Sequence, residues 1–218
     1  MQLVEYAHGS QEPIKTLDVP NMSPSACAVD TITGNLAAVD FGGDGHEVDL
    51  YYPGSSYPRI FVDKKLYLDD LTYDSSGNLF VIGFAGSQVE VAELPKGTTK
   101  FEMRRGHIGL NATSGIKSDG KHLTIGQTLF QGGNELYRYV VRGNRLKHRR
   151  TVSLSGDFKA LFDYWIQGSR VVATNIGGTQ IYAPMYLFNY PGGNLIKTIG
   201  QGTVPAFYGS ITISVARK

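Results

Sequence analysis

The chain repeats itself about every 45 residues, and no other feature limits its possible folds as strongly. A turn followed by a strand reads DTITGNLAAVD from Asp30, DSSGNLFVIG from Asp74, DGKHLTIGQ from Asp119 and, more loosely, QGSRVVATN from Gln167. The first apolar residue of each strand, Leu36, Leu79, Leu123 and Val171, steps by 43, 44 and 48. A second element, a hairpin around a glycine turn, starts at Val4, Val48, Val89, Leu136 and Met185. Its glycines, Gly9, Gly54, Gly97, Gly143 and Gly192, step by 45, 43, 46 and 49. Two landmarks with one period define a unit of four short strands: an inner strand such as 26–30 or 70–74, the strand after the turn, and the hairpin pair. Four strands in about 45 residues is the size of a propeller blade, and a sandwich has no reason to repeat so regularly.

The expected architecture is all-β: a single β-propeller domain over residues 1–218, with about five four-stranded blades. The chain opens inside a repeat and stops after an inner-type strand at 210–215. The last blade is therefore expected to combine N-terminal and C-terminal strands, which removes an open sheet edge. The alternative is a piece of a six- or seven-bladed propeller. Ala28, Leu71, Ile116, Phe162 and Ile211 are expected to point from the inner strands into the core.

Composition fits many short strands. The chain has 27 glycines and 13 tyrosines but one tryptophan, and no segment keeps a helical apolar period for three turns. Lys plus Arg number 21 against 19 Asp plus Glu, so there is no broad field to attract nucleic acid or an anionic membrane. No apolar run approaches the roughly 20 residues of a membrane span. Cys27 is the only cysteine, cannot form an internal disulfide, and reads as a small buried hydrophobe.

The units DSSGNLFV from Asp74 and YPGSSYPRI from Tyr52 resemble the repeat of bacterial NHL-like propellers, with its D-x-x-G-N-L-Y-V turn and Y-x-P-G-S hairpin. The likeness departs at His122, where the family has Asn, and at Tyr164-Trp165-Ile166-Gln167 in the fourth unit. The resemblance is distantly shared with lyase and gluconolactonase-type propellers. It implies a binding shape more than a chemistry, and an extracellular or periplasmic location.

In a propeller, the loops before inner strands and after second strands meet around one mouth of the central channel. That places Asp69, Asp70, Asn111 and Asp157 before inner strands, and Asp40, Gln127 and Asn175 after second strands. Such oxygens suit a hard cation such as calcium, although Asp and Asn also serve turns. No cofactor is otherwise indicated, and the five histidines lie in different units without zinc-site spacing. The run Asp40 to Glu47 lacks the alternating ligands of a calcium loop. The cluster Arg142, Arg145, Lys147, His148, Arg149 and Arg150 reads as protection of a sheet edge. Together these features describe a monomeric, non-enzymatic binding or scaffold propeller whose protein or small-molecule ligand sits at the channel mouth. The alternative is a metal-assisted, lactonase-like hydrolase or lyase.

Overall fold

The computed structural model describes residues 2–6, 13–19, 24–40, 44–127, 133–156, 161–175 and 184–199. They form a two-stranded hairpin and four blades of four strands. The hairpin pairs β1 (Gln2–Tyr6) with β2 (Pro13–Asp18). Blade 1 holds β3 (Pro24–Val29), β4 (Leu36–Asp40), β5 (Glu47–Tyr51) and β6 (Arg59–Val62). Blade 2 holds β7 (Tyr67–Tyr73), β8 (Leu79–Ala85), β9 (Gln88–Leu94) and β10 (Glu102–Arg104). Blade 3 holds β11 (Thr113–Ser118), β12 (Leu123–Gln127), β13 (Glu135–Arg142) and β14 (Arg145–Ser153). Blade 4 holds β15 (Leu161–Gln167), β16 (Arg170–Asn175), β17 (Met185–Asn189) and β18 (Leu195–Ile199). Each blade is an antiparallel meander in chain order, and β3, β7, β11 and β15 pack side by side as its innermost strands. This is a propeller ring; the inner-type strand expected at 210–215, and Ile211 with it, lie outside the described residues.

The turn motif has a physical basis. Asp74 Oδ1 accepts the Ser76 and Asn78 backbone N–H groups, and its Oδ2 accepts the Asn78 side chain. Gly77 closes the turn at φ 82, where a side chain would be strained. Asp119 takes the N–H groups of Lys121 and His122 in the same way, so His122 fills the place of the motif's Asn without breaking the turn.

Blades are buried on both faces, which explains the near-continuous apolar run of β8. Leu79 and Val81 pack with Leu50 and Phe61 of blade 1, while Phe80 and Ile82 pack with Ile116 and Ile125 of blade 3. That alternation is the two-residue period of a strand between two neighbours. A third cluster joins Leu136 and Val152 of blade 3 to Tyr164, Val171 and Phe188 of blade 4. On the far side of blade 1, Leu3 and Leu17 of the hairpin pack against Ala38 and Tyr51, so the hairpin takes the place of a preceding blade.

One expectation about the core needs correcting. Ala28, Leu71 and Ile116 are buried, but Phe162 is only half-buried, and the large side chain enclosed at this point is Tyr164. The cause is a bulge between Leu161 and Asp163, and the other inner strands shift register at matching places, between Pro24 and Ala26, Leu68 and Asp70, and Thr113 and Ile116. An extra residue on one strand reverses the faces beyond it.

Candidate functional site: the hub of the ring

The innermost strands begin earlier than the turn pattern implied, so Asp69 and Asp70 lie within β7 rather than in the loop before it. Asp70 is 6% exposed and reaches into the next blade. Its Oδ2 accepts the Ile116 N–H at 2.7 Å and lies 2.6 Å from Lys117 Nζ. Gly115 makes this approach possible: at φ 105, any Cβ there would overlap Asp70 Oδ2. The other oxygen, Oδ1, is buried without a partner.

Lys117 is itself 5% exposed, and its ammonium lies 6.0 Å from the ring centre of Trp165 on β15. Burial acts to lower its pKa, but Asp70, Asp163 and the hydrogen bond to Asp70 outweigh that, and the net direction is upward. Lys117 is therefore a fixed cation at neutral pH. Asp69 differs: burial first, then the neighbouring Asp70 charge, push its carboxyl up to about 7, while Lys117 pulls the other way and Asp163 adds to the rise. Cys27 of β3 feels the same charges, and burial is the leading cause of its raised pKa. Yet its surface is water-accessible, which corrects the expectation of a buried hydrophobe. A thiol crowded by protein but open to water fits a position facing the channel.

Cys27, Asp69, Asp70, Lys117 and Asp163 come from four successive blades and influence one another. Strands of four blades meet only at the hub, so this is the polar lining of the central channel. Lys117, Asp163 and Trp165 lie on strands β11 and β15, outside the loops to which the repeat assigns ligand residues. The available signal was a lysine in the strand TSGIKS, where the matching positions are Ala28, Thr72 and Trp165.

The other expected residues separate from this cluster. Asp40 shares a face of β4 with Ala38, and its charge acts on Asp49, whose carboxyl is raised first by burial and then by Asp40, on the side where the hairpin packs. Gln127 accepts the Tyr137 hydroxyl at 3.2 Å. Asn111 is exposed ahead of β11. Asn175 ends β16, with its side chain outside the described residues, as is Asp157 altogether. Among the described residues, no group of three or more His, Cys, Asp or Glu is placed to hold a metal ion.

The basic run starts with Arg142 at the end of β13 and continues from Arg145 to Arg150 along β14, the outermost strand of blade 3. Arg149 is bulged out of the pairing with β13, and Arg105 bonds across residues 144–146, donating to Asn144 O and accepting from Leu146 N–H. A bulge, a covering segment and exposed cations are three known defences of a free edge. Among the described residues, no helix is long and apolar enough to cross a membrane.

No family model matches the chain, and no curated protein matches it in sequence. Solved structures do match in shape. Hydrazine synthase of Kuenenia stuttgartiensis superposes with a TM-score of 0.60 at 14% identity, over 89% of this chain and 52% of that one. A chain of the nidogen/laminin complex gives 0.61 at 13% identity, over 80% and 64%. TolB from Acinetobacter baumannii gives 0.62 at 14% identity, over 85% and 45%. The chain thus spans about half to two thirds of the length of these propeller structures. At such identities the likeness is one of fold, and the fold it establishes is the β-propeller.

Proposed function

We propose that this chain is a non-enzymatic binding propeller of the NHL-like kind that holds its ligand at the channel mouth through Asp69, Asp70 and Lys117. The observation that carries this reading is the unpartnered, buried Asp70 Oδ1 beside a carboxyl that titrates near neutrality. Buried polar atoms are rarely left without a partner, and a ligand donor would supply one. The partly exposed Asp69 and the exposed Cys27 thiol stand on rigid strands beside the buried Asp70–Lys117 pair, which suits recognition of a small polar molecule or an extended polar segment of a partner. Among the described residues of the hub, no hydroxyl or thiol is hydrogen-bonded to a base, and the reading as a binder rests on the same geometry. The NHL-like assignment is supported by the turn chemistry of Asp74 and Asn78, and an extracellular or periplasmic setting goes with that assignment alone.

Saturation-transfer NMR on a mixture of polar metabolites tests the proposal. Ligand signals should be seen with the wild-type chain, vanish in Asp70→Asn and Lys117→Met, and persist unchanged over hours. Chemical conversion of a bound compound would overturn the non-enzymatic reading. So would tight, stoichiometric calcium, magnesium or zinc binding that Asp70→Ala and Asn111→Ala abolish.

A further inference from the structure

Away from the hub cluster, a separate cavity of about 270 Å³ lies between blades 1 and 2. Along an antiparallel blade, the first-to-second and third-to-fourth connections fall at one end, and the second-to-third and inter-blade connections at the other. The cavity is built at the first of these ends, from the β3–β4, β5–β6, β7–β8 and β9–β10 connections. It shares no residue with the polar cluster of the hub.

We infer that this cavity is a binding site for a small organic anion with an apolar, ring-sized body. Its floor is Leu50, Phe61, Tyr73, Leu79 and Leu94, side chains of the core shared by the two blades. Its rim carries two cations. The Arg59 guanidinium lies 5.1 Å from the centre of the Phe61 ring, where it closes one side of the apolar floor. Lys96, from the β9–β10 connection, has its Nζ 3.4 Å from where a Cβ on Gly77 would be. Neither cation has an ion pair among the described residues. The one carboxylate in the lining, Asp30, accepts the Ile32 N–H and the Thr33 hydroxyl in its own turn and also stands by Lys96, its Oδ2 lying 3.2 Å from the same Gly77 Cβ position.

The Tyr73 ring lines the floor, while its hydroxyl is shielded from solvent without a partner and so is turned away from any occupant. The volume lies just under the roughly 300–1,000 Å³ of sites for drug-sized ligands, so it matches a compact molecule. Two rim cations against one carboxylate leave the lining with a net positive charge, which favours an anion over a neutral compound of the same shape. The site does not depend on the function proposed for the hub.

Titration of the full chain with 3-phenylpropionate, 3-phenylpropan-1-ol and 2-phenylethylamine tests this inference. The carboxylate is expected to bind about tenfold more tightly than the alcohol, and the amine most weakly. The double variant Arg59→Glu, Lys96→Glu should remove the preference for carboxylate over alcohol. Both side chains are exposed, and an unchanged melting temperature would show that the fold survives. Thr98→Trp, at the exposed rim, should weaken carboxylate and alcohol alike, and Lys117→Met at the hub should change neither. Equal affinity for carboxylate and alcohol, a preference untouched by the double reversal, or no saturable binding of any probe would overturn the proposal.

Discussion

The junction between blades 1 and 2 and the junction between blades 3 and 4 are built from the same repeat, and they end differently. In each, a turn aspartate of the earlier blade faces a residue on the later blade's third-to-fourth connection. At the later junction that residue is Tyr190, whose hydroxyl donates to Asp119 Oδ2 at 2.6 Å, while Arg138 approaches the same oxygen at 2.9 Å. The Arg138 guanidinium also lies 5.1 Å from the Tyr190 ring centre, and Thr124 Oγ1 is 3.2 Å from the Tyr190 hydroxyl. At the earlier junction the matching residue is Lys96, since both stand two residues past the strand partner of the first apolar residue, Leu94 opposite Leu79 and Phe188 opposite Val171. Lysine leaves the space that tyrosine fills. One repeat therefore gives a locked seam at one place and a cavity at another, and the side chain at a single repeat position decides which.

The largest test of the locked seam is Tyr164→Ala. This fully buried ring joins blade 4 to blade 3, its hydroxyl donating to Thr124 O and Gly115 O. Its truncation should cost about 3–5 kcal/mol, read from urea unfolding. A loss below about 1 kcal/mol would mean that the seam is no firmer than the surface.

Next in size is Asp119→Ala, which strips Tyr190 and Arg138 of their shared acceptor and should cost about 2 kcal/mol at pH 7. Burial alone would raise the Asp119 carboxyl, but hydrogen bonds from Tyr190, Lys121, His122 and Arg138 bring it down to about 2. Because this folded value lies below the ordinary 3.8, the stabilisation is complete above about pH 4 and is lost as pH falls through 2. The wild-type advantage over Asp119→Ala should shrink across that window, and an advantage constant down to pH 2 would show that the carboxylate is not what holds the seam.

Much of this contrast was legible in the chain and some was not. The blade count between Pro24 and Ile199 follows from the regular spacing of glycine-containing turns, of which Asp74 to Gly77 shows the bonding most fully. The half-buried Phe162 was not legible. A bulge adds a residue without changing composition, and here it turns Tyr164 rather than Phe162 into the core. Of the expected site residues, Asp69 and Asp70 do meet at the hub, but their partner Lys117 is 47 residues from Asp70 and on the next blade. Only the rotation from blade to blade brings them together, and spacing within one repeat cannot report that.

The hub itself offers a smaller test with the opposite sign from Asp119. Asp69 is raised from 3.8 to about 7, so the folded state resists its ionisation and stability is lost as pH rises from about 4 through 7. At about 1.4 kcal/mol per pKa unit, the ceiling is about 4 kcal/mol; partial exposure brings the expected effect nearer 1–2 kcal/mol. Asp69→Asn should therefore gain stability over the wild type between pH 5 and pH 8. Parallel curves for the two proteins would show that Asp69 ionises freely.

The finest comparison makes one change at both junctions: tyrosine to phenylalanine. Tyr190→Phe removes a donor from Asp119 and a partner from Thr124, leaving buried acceptor capacity unfilled, and should cost about 1–2 kcal/mol. Tyr73→Phe removes a buried hydroxyl that has no partner, so nothing is broken and a desolvated polar atom is lost. It should be neutral or stabilising by up to about 1 kcal/mol. Because the chemical change is identical, differences in side-chain size and unfolded-state hydration cancel between the two variants. What remains is whether each hydroxyl is satisfied by the fold. Melting temperatures that move in opposite directions, or one that falls while the other holds, would support a locked seam beside an open one. A Tyr73→Phe loss as large as that of Tyr190→Phe would mean that the first hydroxyl already has a partner, and the two junctions would then differ in shape but not in how completely they are bonded.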